Sequence, residues 1–210
     1  MVITDVQAQK RNPQRVSVYV DNAYAFSLDG TDFVRMGLKI GKALTEQEIR
    51  TCLLESDLSK ARAKALDILS RRMICERELR RKLAEKGHDQ MIIDVAMDEL
   101  TALGYIDDYA YAVQFIENAR ICKSQGMRRI RYDLAQKGVD GEVIRQAAEQ
   151  FQPPTGEEIA ELIQNRYGDE DLTDRKIRDK ITRYLAGKGY DFSQISEGLR
   201  YVQESREEFE

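Results

Sequence analysis

Apolar positions follow two different rhythms along the chain. From Arg15 to Leu28 they alternate or cluster as Val16, Val18 and Val20, then Ala23, Tyr24, Ala25, Phe26 and Leu28 around Asp21-Asn22. Period-two spacing around a pair that tolerates positive φ predicts a β-hairpin. Ile3 to Gln9 is the candidate third strand, because a lone hairpin is marginal in water. Asp29-Gly30 ends this piece, and a short helix from about Thr31 stops at Gly37. Thr45-Glu46-Gln47-Glu48 has capping-box spacing and starts a helix. Beyond it the apolar spacing is helical, as in Leu66, Leu69 and Met73, or Ile92, Val95, Ala96, Leu100 and Leu103.

The helical part repeats itself. Leu83-Ala84-Glu85-Lys86-Gly87-His88-Asp89 returns as Leu134-Ala135-Gln136-Lys137-Gly138-Val139-Asp140 and as Leu185-Ala186-Gly187-Lys188-Gly189-Tyr190-Asp191, each step being 51 residues. Leu79, Ile130 and Ile181 precede each Leu by four, and Ile93, Ile144 and Ile195 follow it by ten. Residues four apart share a helix face, so these are core positions. Gly87, Gly138 and Gly189 close a helix in the left-handed conformation, and the Asp two residues later caps the next one. A further helix precedes each pair, at about 60–71, 108–121 and 157–167, the last announced by a second capping box at Thr155 to Glu158.

The expected fold is therefore mainly α: a tandem array of three three-helix repeats behind a small segment with a β-hairpin. The expected divisions are 1–58, 59–105, 106–152 and 153–210. Inserts near Lys123 to Gly126 and Gly168-Asp169-Glu170-Asp171 belong in loops, and Gln152-Pro153-Pro154 is the expected hinge before the third copy. Stacked units of this kind offer a long surface instead of a pocket.

Composition removes several classes of function. Three cysteines, Cys52, Cys75 and Cys122, are odd in number and far apart, which fits small thiols and neither a disulfide framework nor a zinc pair. No leader pattern opens the chain and no stretch approaches the roughly 18 apolar residues of a membrane span, so a cytoplasmic protein with no membrane contact is expected. The single histidine, His88, is replaced by Val139 and Tyr190 in the other copies and reads as a turn residue. Neither a phosphate loop nor a dinucleotide fingerprint is present. Asp107-Asp108 could bind a metal or do acid–base work, but after Gly104-Tyr105-Ile106 the pair reads as a helix start. A binding protein without catalysis, cofactor or metal is expected.

Charge then points to a surface. Residues 60–151 hold 17 basic against 15 acidic side chains, whereas 152–210 hold 9 against 14. The candidate binding residues are Arg71, Arg72, Arg77, Arg80, Arg81, Lys82 and Lys86 in the first copy, and Arg128, Arg129, Arg131 and Lys137 in the second. Arg80 and Arg131 coincide in register, whereas the third copy has Thr182 there. Guanidinium forks suit phosphates and carboxylates alike. Paired helices with basic residues also admit a helix-turn-helix DNA reader, although the net charge of the two copies is modest for one.

The run Leu69-Ser70-Arg71-Arg72, Glu78 to Leu83, Lys86-Gly87, Leu103 to Ala110, Gly126 to Ile130 and Leu134 to Gly138 resembles the bacterial RecX regulatory proteins over about residues 60–205. The hairpin-bearing segment resembles the extension of some longer members. Cys75 departs from the pattern by standing where a Ser or Thr cap is expected. The resemblance implies a regulator that lies along the groove of the RecA filament on single-stranded DNA and inhibits strand exchange or ATP hydrolysis. The partners implied are the RecA filament and, directly or through it, single-stranded DNA, with the chain acting as a monomer. A direct DNA binder acting without RecA is the alternative.

Overall fold

The computed structural model describes residues 1–10, 12–168 and 170–207, with the backbone alone for 206 and 207. Asp169, part of the insert expected before the third paired helices, lies outside the described residues, as do 208–210 of the expected third repeat.

Three antiparallel strands, β1 (Ile3–Gln9), β2 (Asn12–Val20) and β3 (Ala23–Asp29), form a sheet in sequence order. The hairpin turn uses Asp21 and Asn22 at φ 49° and 67°, the pair of left-handed residues that a tight turn between twisted strands requires. Val18, Val20, Phe26 and Leu28 point to one face and are buried with Ile3, Leu38, Leu44 and Cys52. The short helix α1 (Gly30–Arg35) follows, and Gly37 beyond it has φ 60°.

Helix α2 (Glu46–Leu69) starts at the Thr45–Glu48 capping box and runs unbroken for 24 residues. It therefore crosses the 58/59 division and serves both the sheet and the first repeat. Its buried face is Cys52, Ser56, Leu58, Ser59, Ala61 and Ala65. Small residues let the sheet approach closely, and polar ones answer it: Ser27 N–H donates to Ser56 Oγ at 3.4 Å, and the buried Arg15 donates to Ser59 Oγ at 2.7 Å. Leu66 and Met73, expected in the core, are exposed. Arg62, also on α2, binds Asp32 of α1 (3.0 Å), Glu55 (2.6 Å) and, beyond the helix, Glu99 (3.1 Å).

The remaining helices are α3 (Glu76–Ala84) and α4 (Gln90–Ala102) in the first repeat, α5 (Asp108–Lys123), α6 (Met127–Lys137) and α7 (Gly141–Glu149) in the second, and α8 (Gly156–Tyr167), α9 (Arg175–Lys188) and α10 (Phe192–Glu207) in the third. The repeat is thus three helices long each time. Leu79, Ile130 and Ile181, then Leu83, Leu134 and Leu185, then Ile93, Ile144 and Ile195 are all buried. Within α4, Ala96 and Leu100 are buried while Val95 and Leu103 face solvent.

The paired-helix turn has the same closing bonds in each copy, although α3 ends at Ala84, two residues before the position where α6 and α9 end. The amide of His88, Val139 or Tyr190 donates to the carbonyl of Leu83, Leu134 or Leu185 at 3.3, 3.2 and 3.1 Å. Gly87, Gly138 and Gly189 take φ 83°, 91° and 97°, and Asp89, Asp140 and Asp191 cap the following helix. This is the closure that satisfies the last carbonyls of a helix, and only glycine enters it without steric cost.

The chain divides into two compact units, Met1–Ile74 with Glu78–Ile106, and Cys75–Arg77 with Asp107 onward. The hinge expected at Gln152-Pro153-Pro154 is not the division. Repeats two and three belong to one unit because the start of α6 is bonded into the turn after α9.

Candidate functional site

Within the second unit, helix starts meet Lys-Gly turns, and they do so twice at the 51-residue step. Cys75 Sγ lies 3.3 Å from the Lys137 carbonyl as donor. Fifty-one residues on, the Gly126 amide donates to the Lys188 carbonyl at 2.9 Å, and the Arg128 amide to that of Gly189 at 3.3 Å. A helix start has free N–H groups and a helix end free carbonyls, so each turn satisfies what the approaching helix leaves open. Contact is too close for side chains. A Cβ on Gly138 would overlap the stem of Arg77, one on Gly189 the backbone of Arg129, and one on Gly126 the backbone of Gly189.

This explains the missing helix cap at Cys75. Asp108, the first residue of α5, accepts from the Glu76 amide at 2.7 Å and so caps α3 from a distant segment. Burial pushes the Asp108 carboxyl up, the Glu76 N–H opposes that shift, and the nearby Glu76 and Asp107 charges reinforce it. Asp107 accepts from Ala110 N–H at 2.9 Å and caps α5 itself. Each member of the acidic pair thus closes a helix, and among the described residues no cluster of His, Cys, Asp or Glu has the makings of a metal site.

The eleven candidate cations divide into three groups. Most of those in the first repeat have acidic partners: Arg71 pairs with Asp67 at 2.8 Å, Arg72 with Glu78 at 2.5 Å, Arg80 with Asp94 at 2.5 Å, Arg81 with Glu85, and Lys82 lies 3.9 Å from Glu78. Arg129 joins them, pairing with Asp133 at 3.0 Å and covering the Tyr132 ring. Arg77, Arg128 and Lys137 belong to the junctions. Arg77 packs on Gly138, Arg128 donates to the Ala186 carbonyl at 3.1 Å near the end of α9, and Lys137 lies over Phe115. Lys86 and Arg131 are exposed and form no ion pair among the described residues.

A cleft of about 920 Å³ opens beside α6 within the second unit, lined by Ile121, Phe151, Pro153 and Leu162 together with Arg120, Arg128 and Arg131. Its acids are Glu117, Glu158 and Asp191. The Asp191 carboxyl is held below the ordinary range by the Gln194 N–H and the Ser193 hydroxyl, with a smaller contribution from the Arg128 charge. Apolar walls with a few convergent charges are the usual makeup of a binding cleft.

Sequence reasoning missed the cations of the third repeat. Arg166 lies over the rings of Tyr167 and Tyr184, Lys188 over Tyr184, and Lys180 over Tyr167. The acidic total of that repeat hid them, because net charge carries no positions. The only signal was two tyrosines in a stretch where the other copies have other residues.

Comparison with known proteins covers nearly the whole chain. Residues 1–45 match the regulatory protein RecX N-terminal domain, and 61–100, 107–147 and 157–199 match the first, second and third three-helix domains of RecX. The regulatory protein RecX of Clostridium botulinum is 31% identical over 203 residues, covering 94% of each chain. That of Clostridium acetobutylicum is 31% identical over 206 residues, covering 95% of each. A crystal structure of regulatory protein RecX superposes with a TM-score of 0.77 at 27% identity, over 94% of this chain and 98% of that one. RecX from Lactobacillus salivarius shares the fold, with a TM-score of 0.61 over 70% of this chain and 97% of its own. No helix among the described residues is long and apolar enough to cross a membrane.

Proposed function

The chain belongs to the RecX family of regulatory proteins, and on that premise we propose that it binds the RecA filament on single-stranded DNA and inhibits its ATP hydrolysis and strand exchange. The relatives are named as regulators, and a regulator of this kind works by occupancy, in the cytoplasm, with no cofactor and no reacting residue of its own.

The observation that carries the reading is Arg131. It is an exposed cation beside the cleft, and it stays unpaired among the described residues while most of its counterparts in the first repeat have acids of their own. A guanidinium with all its donors available can take a phosphate or a carboxylate through two bonds at once. Lys86 is a second such cation on the first repeat. Exposed pairs such as Arg81–Glu85 are worth about 0–1 kcal/mol, so a partner can exchange them at little cost.

Titration into preformed filaments, with ATP hydrolysis and filament length followed together, tests this. The wild-type chain is expected to slow hydrolysis at or below one copy per RecA. Arg131→Glu is expected to need roughly tenfold more protein, the loss of a charge-assisted bond plus the repulsion that replaces it. Unchanged hydrolysis with the wild-type chain contradicts the proposal. Tight binding to bare DNA that falls steeply with salt, with no response to RecA, supports the alternative of a direct DNA binder.

A further inference from the structure

The three Lys-Gly turns have the same hydrogen bonds and the same left-handed glycine, yet their surroundings differ. The turns at Gly138 and Gly189 are each covered by the first residues of a helix, so closely that a methyl group has no room. Around the position a Cβ would take at Gly87 there is nothing within 4 Å. The carbonyls of Lys86 and Gly87 accept no backbone bond among the described residues, whereas those of Lys188 and Gly189 take the amides of Gly126, just before α6, and of Arg128 within it.

Nothing in this chain stands in register to fill the first turn. Fifty-one residues before Cys75 is Tyr24, which lies in β3 and starts no helix. A second copy of the chain offers no better occupant. Fifty-one residues after Gly126 is Ile177, inside α9, which begins earlier at Arg175 and has its first turn closed by Asp174. With no in-register helix start in this chain or in its next copy, a different protein is the better source of one.

We infer that the Lys86-Gly87 turn of the first repeat is a docking socket for the N-terminal turn of an α-helix on a RecA subunit. This rests on the function proposed above and names the kind of element the regulator grips. The turn offers two carbonyls at the negative end of α3, and a helix start brings free amides and the positive end of its dipole. Gly87 leaves room for backbone to meet backbone, as Gly189 does. The helix starts that fill the two covered turns bear Cys75 and Gly126, and α6 has no side-chain cap of its own. The recombinase helix should likewise begin with a small residue that lacks a capping oxygen.

The test uses Gly87→Asn, because asparagine tolerates the left-handed conformation and fits the free turn but obstructs a docked helix. The wild-type chain and the variant are titrated into preformed RecA filaments with ATP hydrolysis as readout. In parallel, His88, the only histidine in the chain, is modified with diethyl pyrocarbonate in the unmodified protein with and without filament. The expected result is a shift of roughly tenfold or more in the concentration for half-inhibition by the variant, with its melting unchanged, and slower modification of His88 on the filament. If the wild-type chain inhibits and the variant equals it, or if His88 reacts at the same rate on the filament, the socket is wrong and the regulatory reading stands. If the wild-type chain does not inhibit, both fall. Self-association of the wild-type chain that Gly87→Asn abolishes also overturns the proposal. Should the variant fail to fold, the His88 measurement decides alone.

Discussion

Three glycines with one backbone conformation have different jobs, and substitution separates them. Gly87→Ala pays only for a left-handed alanine, about 1 kcal/mol. Gly189→Ala adds an overlap with the backbone of Arg129 and should cost about 3 kcal/mol. Urea unfolding of the two variants measures the difference, and equal losses would refute the junction. Asp108 is a second residue whose role is checkable. Its carboxyl titrates above the ordinary range, so the folded chain takes up this proton more readily than the unfolded one. The resulting stability is complete below the unfolded pKa and is lost as pH rises through the folded one. Asp108→Asn keeps an acceptor for Glu76 N–H and should equal or exceed the wild-type chain in stability at pH 7, with the difference vanishing in acid. Asp108→Ala loses the cap and should cost about 1 kcal/mol. A variant pair that melts alike would remove the cap assignment. At this scale the register made the core residues and turn glycines legible. It could not reveal Asp108, whose target lies 32 residues away.

Among elements, the second helix shows why periodicity fails where small residues do the packing. Its buried stripe includes two serines and two alanines, while Leu53, Leu54 and Leu66 face outward. A hydrophobic count therefore favours the wrong side and breaks one helix of 24 residues into two pieces. The strands and both capping boxes were readable because their signals are local. The bare start at Cys75 was readable too, since no capping oxygen stands there, whereas Gly126 reads in the sequence as part of a loop insert. What closes both starts lies on other segments. Arg62 belongs to this scale as well, tying α1, α2 and α4 through three carboxylates. Arg62→Met should lower the melting temperature of the first unit, by about 1–3 kcal/mol of stability, because it removes the cation that Glu99 pairs with and leaves Asp32 and Glu55 to the exposed Arg35 alone.

For the whole molecule, the division lies between Ile106 and Asp107, with Cys75–Arg77 assigned to the later unit. Native-state amide exchange should reveal cooperative groups that follow this division, with α6 and α9 opening together. Separate opening of repeats two and three at Pro153 would contradict it. The candidate surface was legible only as a list of cations. Sequence spacing placed them on repeats and offers the pairs four residues apart, such as Arg129–Asp133 and Arg81–Glu85, but not Arg80–Asp94, whose members lie 14 residues apart on different helices.

The junction at Gly126 and Gly189 also bears on how such a chain can change length. One 51-residue stretch carries both a helix start that needs covering and a turn that covers one, so a tandem duplication of the middle copy would deliver matched ends to its neighbours. Growth at either border would not, for upstream the step falls on a strand and downstream on the interior of α9. Gain or loss of a copy is therefore expected to be tolerated best at the centre of the chain, where matched junction ends recur.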